Sequence, residues 1–256
     1  MTEAATRSAL RARWLGRVTY ADALALQTAL WAGDQQYLLL CEHTPVYTLG
    51  VRTDPANILV DDLTARGADV HRVTRGGDVT WHGPGQVVGY PLVSAPTRRG
   101  GGMADTVAYV RSVEQLLIDA LGDLELEARR RAEYPGVWLG DDATGLRKVA
   151  AIGVRLRRGR AMHGFALNVE PDLSWFDAIV PCGIADAGVT SLAAEGCDAS
   201  MHEVVDVMAE RAAALWGSGA VDRADVVWRH HPGDLSAFSS GVGADSAIDP
   251  AAAADA

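Results

Sequence analysis

Apolar and polar positions along this chain follow two periods, one helical and one strand-like. Tyr20, Leu24 and Trp31 lie near one helical face, which predicts a helix over Tyr20 to Trp31. Asp105 stands where an N-cap belongs, and Val107, Val110, Val113, Leu117 and Leu121 then recur at helical spacing through Leu121. Ser200-Met201-His202-Glu203 has the capping-box form and opens a third helix with an apolar stripe of Val204, Met208, Leu215 and Trp216. Strands are predicted at 37–41, 46–49, 70–74, 86–93, 124–128, 137–139, 149–156 and 161–169. The last two form a hairpin about Arg157 to Arg160, whose Gly159 suits a tight turn, so Lys148 and Val169 come to one end of the sheet. The pattern predicts an α/β domain: a mixed β-sheet with helices packed outside.

Length and composition fit one such domain, since 256 residues with 48% hydrophobic content bury a sizeable core. We place it at 15–231, after a flexible N-terminus at 1–14 and before a Gly, Ala, Ser and Asp-rich tail at 232–256 that reads as disordered. The sequence shows neither an 18-residue apolar run nor a charged-then-apolar leader, so the expectation is a cytoplasmic protein without a membrane span. A formal net charge of -10 argues against nucleic-acid binding. Arg98-Arg99, Arg129-Arg130-Arg131 and the set Arg155, Arg157, Arg158, Arg160 are local basic clusters. They suit either docking of acidic partners or ordinary solvated faces.

Candidate chemistry centres on Lys148 and Cys182. Lys148 opens an apolar strand and by alternation shares a face with Ala150, Ile152, Val154 and Leu156. An ammonium there is partly stripped of water, which favours the neutral amine, a form able to act as a base. Snorkelling into solvent is the opposing reading. Three cysteines occur with no CxxC spacing, so they form no disulfide framework. Cys41 closes the apolar run Tyr37-Leu38-Leu39-Leu40 as a core filler, and Cys197 lies in a polar turn. Cys182, between Pro181 and Gly183, stands in a turn that suits an accessible, reactive thiol and an incidental one equally.

The run Arg75-Gly76-Gly77-Asp78-Val79-Thr80-Trp81-His82-Gly83-Pro84-Gly85-Gln86 places four glycines among polar residues, yet matches neither a Walker loop nor GxGxxG. Two turns flanking a short strand would explain it equally. His82 is the better functional histidine; His163, alternating with Phe165 and Leu167, reads as a core or pocket-lining residue. His43, His82, His163 and Cys182 are chemically sufficient for zinc, but they lack metal-ligand spacing, so no metal is expected.

Together RGGDVTWHGPGQ, the run RKVAAIGVRLRRGRAMHGFALNV from Arg147 to Val169, PCGI at Pro181 and EHTPVYTLG from Glu42 to Gly50 resemble the lipoyl(octanoyl) transferase family over about Leu15 to Trp216. That resemblance implies the catalytic fold of biotin protein ligases and lipoate-protein ligases. It also implies transfer of an octanoyl group from octanoyl-acyl carrier protein to lipoyl-domain lysines, without cofactor. The acceptors it implies are lipoyl domains of 2-oxoacid dehydrogenase E2 subunits and the glycine cleavage H protein. Cys182 falls on the family's acyl-thioester cysteine and Lys148 on its partner lysine. Arg75, Gly76, Gly77, Asp78, Val79, Thr80, Trp81 and His82 fall on substrate-binding segments, as do Ala151, Ile152, Gly153, Gly164, Phe165 and Ala166. Trp81 stands where a tyrosine is common in the family and keeps an aromatic wall. The amides of Gly76 and Gly77 are the candidate oxyanion donors. Two alternatives stay open: an ATP-dependent lipoate-protein ligase, which needs no thiol, and a non-catalytic acyl-binding module, which tolerates loss of Cys182.

Overall fold

The structure is a computed structural model and describes residues 9–98, 101–132, 134–141, 145–181 and 188–226. Its frame is an eight-stranded mixed sheet. Along it run β10 (Gly188–Val189), β8 (Arg147–Arg157), β9 (Arg160–Asn168), β6 (Gln86–Leu92), β2 (Tyr37–His43), β1 (Leu10–Val18) and β11 (Val221–Asp225), with β7 (Val137–Leu139) paired to β8. A second sheet holds β4 (Asp69–Arg72), β3 (Val46–Leu49) and β5 (Val79–His82) in that order.

The uninterrupted apolar run of β2 follows from burial on both faces. Leu38 and Leu40 enter a core with α2 (Thr106–Asp123) and α3 (Met201–Trp216), whereas Tyr37, Leu39 and Cys41 enter a core with α1 (Tyr20–Trp31). Helices therefore cover both faces, as expected. The small sheet has its own core of Tyr47, Leu49, Val79 and Trp81 against Trp175 and Phe176.

Local chemistry fixes the helix starts. Asp105 accepts from the Ala108 amide at 3.0 Å, and Ser200 and Glu203 complete a reciprocal capping box. The β8–β9 hairpin turns through Arg158 (φ 47°) and Gly159 (φ 78°), the left-handed pair that the strand twist favours.

Four expectations need correction. Residues 10–14, read as flexible, form the first part of β1, which pairs in parallel with both β2 and β11; Arg13 is buried because Asp222 takes its guanidinium at 3.1 Å. Residues 124–128 form no strand, since Glu125 takes φ 62° and the Leu126 amide returns to Leu121 O as a helix end. In α1 the inward face is Ala23, Leu26, Gln27 and Leu30, while Leu24 and Trp31 are half-buried. In α2, Val107 is 68% exposed, and Tyr109, Val113, Glu114, Leu117 and Leu121 face inward.

Where the two sheets meet, three histidines are buried. His43 Nδ1 pairs with Val18 O at 3.0 Å and its Nε2 with Tyr90 OH at 2.6 Å. Burial pushes His43 and His163 down to about 4 and His82 well below its ordinary range, so all three are neutral near pH 7. Unfolding releases imidazoles that protonate near pH 6.5, so the unfolded chain takes up protons that the folded one refuses. Stability is therefore fully present above about pH 6.5 and is lost as pH falls towards 4, by ~1.4 kcal/mol per pH unit for each histidine. Urea midpoints should fall steadily from pH 7 to pH 5; a flat profile over that window contradicts the neutral cluster.

Candidate functional site

The site is built on β8, β9 and the glycine-rich crossing that leads from β4 to β5. Gly153 and Gly164 face each other across the hairpin. A Cβ at Gly164 would collide with the Gly89 carbonyl of β6, so only glycine lets β9 lie this close. The Gly76 amide donates to Val154 O at 2.9 Å and straps the glycine-rich segment onto the outer edge of β8. That amide is engaged, which removes Gly76 as an oxyanion donor.

Most residues expected to touch substrate converge on one cavity. Arg75, Gly77, Asp78, Thr80 and His82 line one side, and Ala151, Ile152 and Gly153 with Gly164, Phe165 and Ala166 line the other. Tyr20, Val88, Tyr90 and His163 complete it. Asp78 also fixes the neighbouring turn, because its carboxylate accepts from the Asp54 amide at 3.2 Å and from the Val79 amide at 2.6 Å. Val79 and Trp81 do not reach the cavity. Alternation along β5 turns them into the small-sheet core, where Trp81 stacks on Trp175 with ring centroids 5.5 Å apart. Trp81 is thus a core residue here rather than a wall of the cavity.

Beneath the cavity runs a continuous polar chain. Arg75 Nη2 donates to Thr48 Oγ1 at 2.8 Å, and Thr48 Oγ1 lies 3.4 Å from His82 Nε2. His82 Nδ1 meets Gln86 Oε1 at 3.2 Å, Gln86 Nε2 donates to Asn168 Oδ1 at 2.9 Å, and Asn168 Nδ2 donates to Thr190 O at 2.8 Å. The Thr190 amide in turn donates to Lys148 O at 3.0 Å. His82, held neutral by burial, can therefore donate from Nδ1 and accept at Nε2 at once. It serves as an orienting member of this chain.

Lys148 is 6% exposed, between Trp138 of β7 and Val189 of β10. Its Nζ lies 5.2 Å from the centre of the Trp138 ring. A bulge where Val137 pairs with Ala150 and Trp138 with Lys148 breaks the simple alternation, so Val149 and Ala150 both enter the main core. Lys148 shares a recess with Ala150, Ala166, Asn168 and Pro181. On its other side it borders a groove along α2 that includes Glu114, Ile152 and Gly153. The chain reaches Pro181 under tight control, because the Leu59 amide donates to Ala178 O at 2.9 Å and the Val180 amide to Asn57 O at 2.8 Å. Cys182 and Gly183 lie outside the described residues, as do Arg99, His230 and His231. Of the other cysteines, Cys41 is wholly buried and its thiol is pushed up by burial, which leaves it inert as a nucleophile.

Thr48, Asn168 and Thr190 carry only a weak signal in the sequence, a polar residue inside an apolar strand or at its end, and Gln86 stands out only as the last residue of the glycine-rich run. Sequence reasoning missed Glu114, Gly136 and Trp138, and a fact of composition: Lys148 is the sole lysine in the 256-residue sequence.

Residues 19–213 match the family model described as the lipoyl protein ligase A/B catalytic domain. An octanoyltransferase of Mycobacterium sp. (strain KMS) is 48% identical over 224 residues, covering 84% of this chain and 89% of that protein. One from Thermobifida fusca (strain YX) is 44% identical over 227 residues, covering 84% and 93%. Among solved structures, an archaeal bipartite lipoate protein ligase from Thermoplasma acidophilum superposes with TM-score 0.69 at 17% identity, covering 91% of this chain and 92% of that one. A lipoate-protein ligase A bound with ATP gives TM-score 0.67 at 17% identity, covering 90% and 93%. The two structures share the fold that the resemblance implied. On the family model and on identities above two-fifths across most of its length, the chain belongs to the lipoyl(octanoyl) transferase family within the lipoyl protein ligase A/B catalytic domains and is an acyltransferase.

Proposed function

We propose that this acyltransferase takes an octanoyl group from octanoyl-acyl carrier protein onto Cys182 and passes it to the target lysine of a lipoyl domain, with Lys148 as proton acceptor. One observation carries this reading: the chain's only lysine is buried in a recess whose rim includes Pro181, the residue bonded to Cys182. The narrow, largely apolar cavity between β8, β9 and the glycine-rich segment suits the acyl chain.

The chemistry runs in two transfers. Lys148 Nζ accepts the thiol proton, the Cys182 thiolate attacks the donor thioester, a new C–S bond forms and the carrier leaves as a thiol that takes up a proton. The enzyme-bound thioester keeps the acyl group activated, because one thioester has replaced another. The lipoyl-domain amine then attacks this carbonyl, Lys148 accepts a proton from the attacking nitrogen, and Cys182 departs to be reprotonated. Amide formation is downhill from a thioester, so the second transfer supplies the driving force without nucleotide. His82 and Arg75, fixed through Thr48, shape the cavity wall and take no proton in either step.

Two measurements test this reading. Intact-mass analysis after mixing with octanoyl-acyl carrier protein, with no ATP or magnesium, should show one octanoyl adduct on the wild type and none on Cys182→Ser. An adduct that persists in Cys182→Ser removes the thioester. Lys148→Ala should slow both transfers by ~10²- to 10⁴-fold, and Lys148→Arg, which stays charged, should restore neither. Wild-type rates in the arginine variant contradict a proton-accepting lysine.

A further inference from the structure

Glu114 is an anomaly in the core. It sits on the inward face of α2 with 0% exposure, among Val113, Leu116 and Leu117, where a carboxylate is costly unless paired. Its partners all pull in one direction. Glu114 Oε2 accepts from Arg111 Nη1 at 2.7 Å and from Arg130 Nε at 3.1 Å, and Oε1 accepts from the Gly136 amide at 3.2 Å. Arg130 is held further by Gln115 Oε1 at 2.6 Å and Arg111 O at 3.2 Å. One helix carboxylate thus grips the connection that enters β7 twice, at Arg130 and at Gly136, the residue before Val137.

Gly136 is where this grip meets the site. Its backbone has φ +135°, and a Cβ there would lie 2.6 Å from Lys148 Cε, 2.7 Å from Ala150 O and 3.2 Å from Lys148 Nζ. The lysine side chain therefore lies in a slot with the bare Gly136 backbone on one side and the Trp138 ring, 5.2 Å from Nζ, on another. Arg131 stacks on the same segment, 4.7 Å from the Tyr134 ring centre and 5.5 Å from that of Trp138.

We infer that Glu114 is a positioning residue: through the Gly136 amide it sets the wall of the slot that aims the Lys148 amine. The consequence for rate rests on the proposed role of Lys148, but the positioning itself does not. Placement of a reacting group matters steeply, since an error of ~1 Å costs on the order of a hundredfold. If the carboxylate served stability alone, its removal would lower the melting temperature without acting through Lys148.

Because Lys148 is the only lysine, protein grown with ¹³Cε-lysine gives a single lysine signal, displaced in the wild type by the Trp138 ring current. In Gly136→Ala this signal should move, with kcat reduced about a hundredfold and KM unchanged. Glu114→Gln keeps the volume and an acceptor for the Gly136 amide but turns a donor towards Arg130. It should fold even if Gly136→Ala does not, shift the same signal and lower kcat about tenfold. In a Lys148→Ala background neither substitution should reduce kcat further. An unmoved lysine signal in folded Glu114→Gln overturns the inference, as does an equal loss of rate in the Lys148→Ala background. A moved signal together with wild-type rates in Lys148→Ala keeps the positioning and instead removes Lys148 as the proton acceptor.

Discussion

The site rests on one constraint, that a series of polar side chains buried between the two sheets must satisfy one another. Arg75, Thr48, His82, Gln86, Asn168 and Thr190 meet it by bonding in series, from β3 across β5, β6 and β9 to the backbone of Lys148. Each link is worth only ~1 kcal/mol net, whereas an orphaned member costs ~1–3 kcal/mol, so the chain acts more as a specification than as a source of stability. It permits one relative placement of the sheets. Thr80 and His82 then face the cavity, and Val79 and Trp81, one residue out of phase on β5, must face the small-sheet core.

How far the fold could be read from the sequence follows from how local each determinant is. The hairpin around Gly159 and the caps at Asp105 and Ser200 depend on residues within a few positions of one another, and all three were legible. The first strand was not. Arg11, Arg13 and Arg17 give it the look of a solvated arm, and its burial depends on Asp222, 209 residues beyond Arg13. Residues 124–128 alternate apolar and charged side chains as a strand does but belong to a helix end, because Leu121 O captures the Leu126 amide. Strand preference reflects packing context more than backbone propensity, and that context is invisible locally.

The same distinction divides the site. Lys148 and the cavity-lining glycines stand inside ordered motifs, so the residues themselves announced them. The grip of Glu114 on Arg130 and Gly136 joins a helix to a connection 16 and 22 residues away. Its one sequence signal was an acidic residue between Val110 and Leu117 on a stripe otherwise apolar. The glycine-rich segment gave the opposite error. Glycine density suggested free amides, but Gly76 uses its amide to hold the segment on β8, so the glycines serve close backbone approach there more than anion binding.

The arginine bias of the chain has a chemical consequence under the proposed reaction. A thioester that acylates amines threatens every amine of the protein carrying it. Here the remaining 22 of the 23 Lys and Arg side chains are arginines, which stay protonated at neutral pH and do not compete as nucleophiles. The cluster Arg129-Arg130-Arg131, engaged with Glu127, Glu114 and the Tyr134 ring, thus adds positive charge without adding an acceptor for the acyl group. Lys148 is the one side-chain amine left, and its danger is proximity: if its nitrogen reached the acyl carbon, an amide would form and turnover would end. A slot walled by Gly136 and Trp138, with Gly136 held by Glu114, restricts where that nitrogen can travel, which under the proposed reaction limits such self-acylation. On the proposed role of Lys148, the rigidity that aims the base is then the same rigidity that spares it.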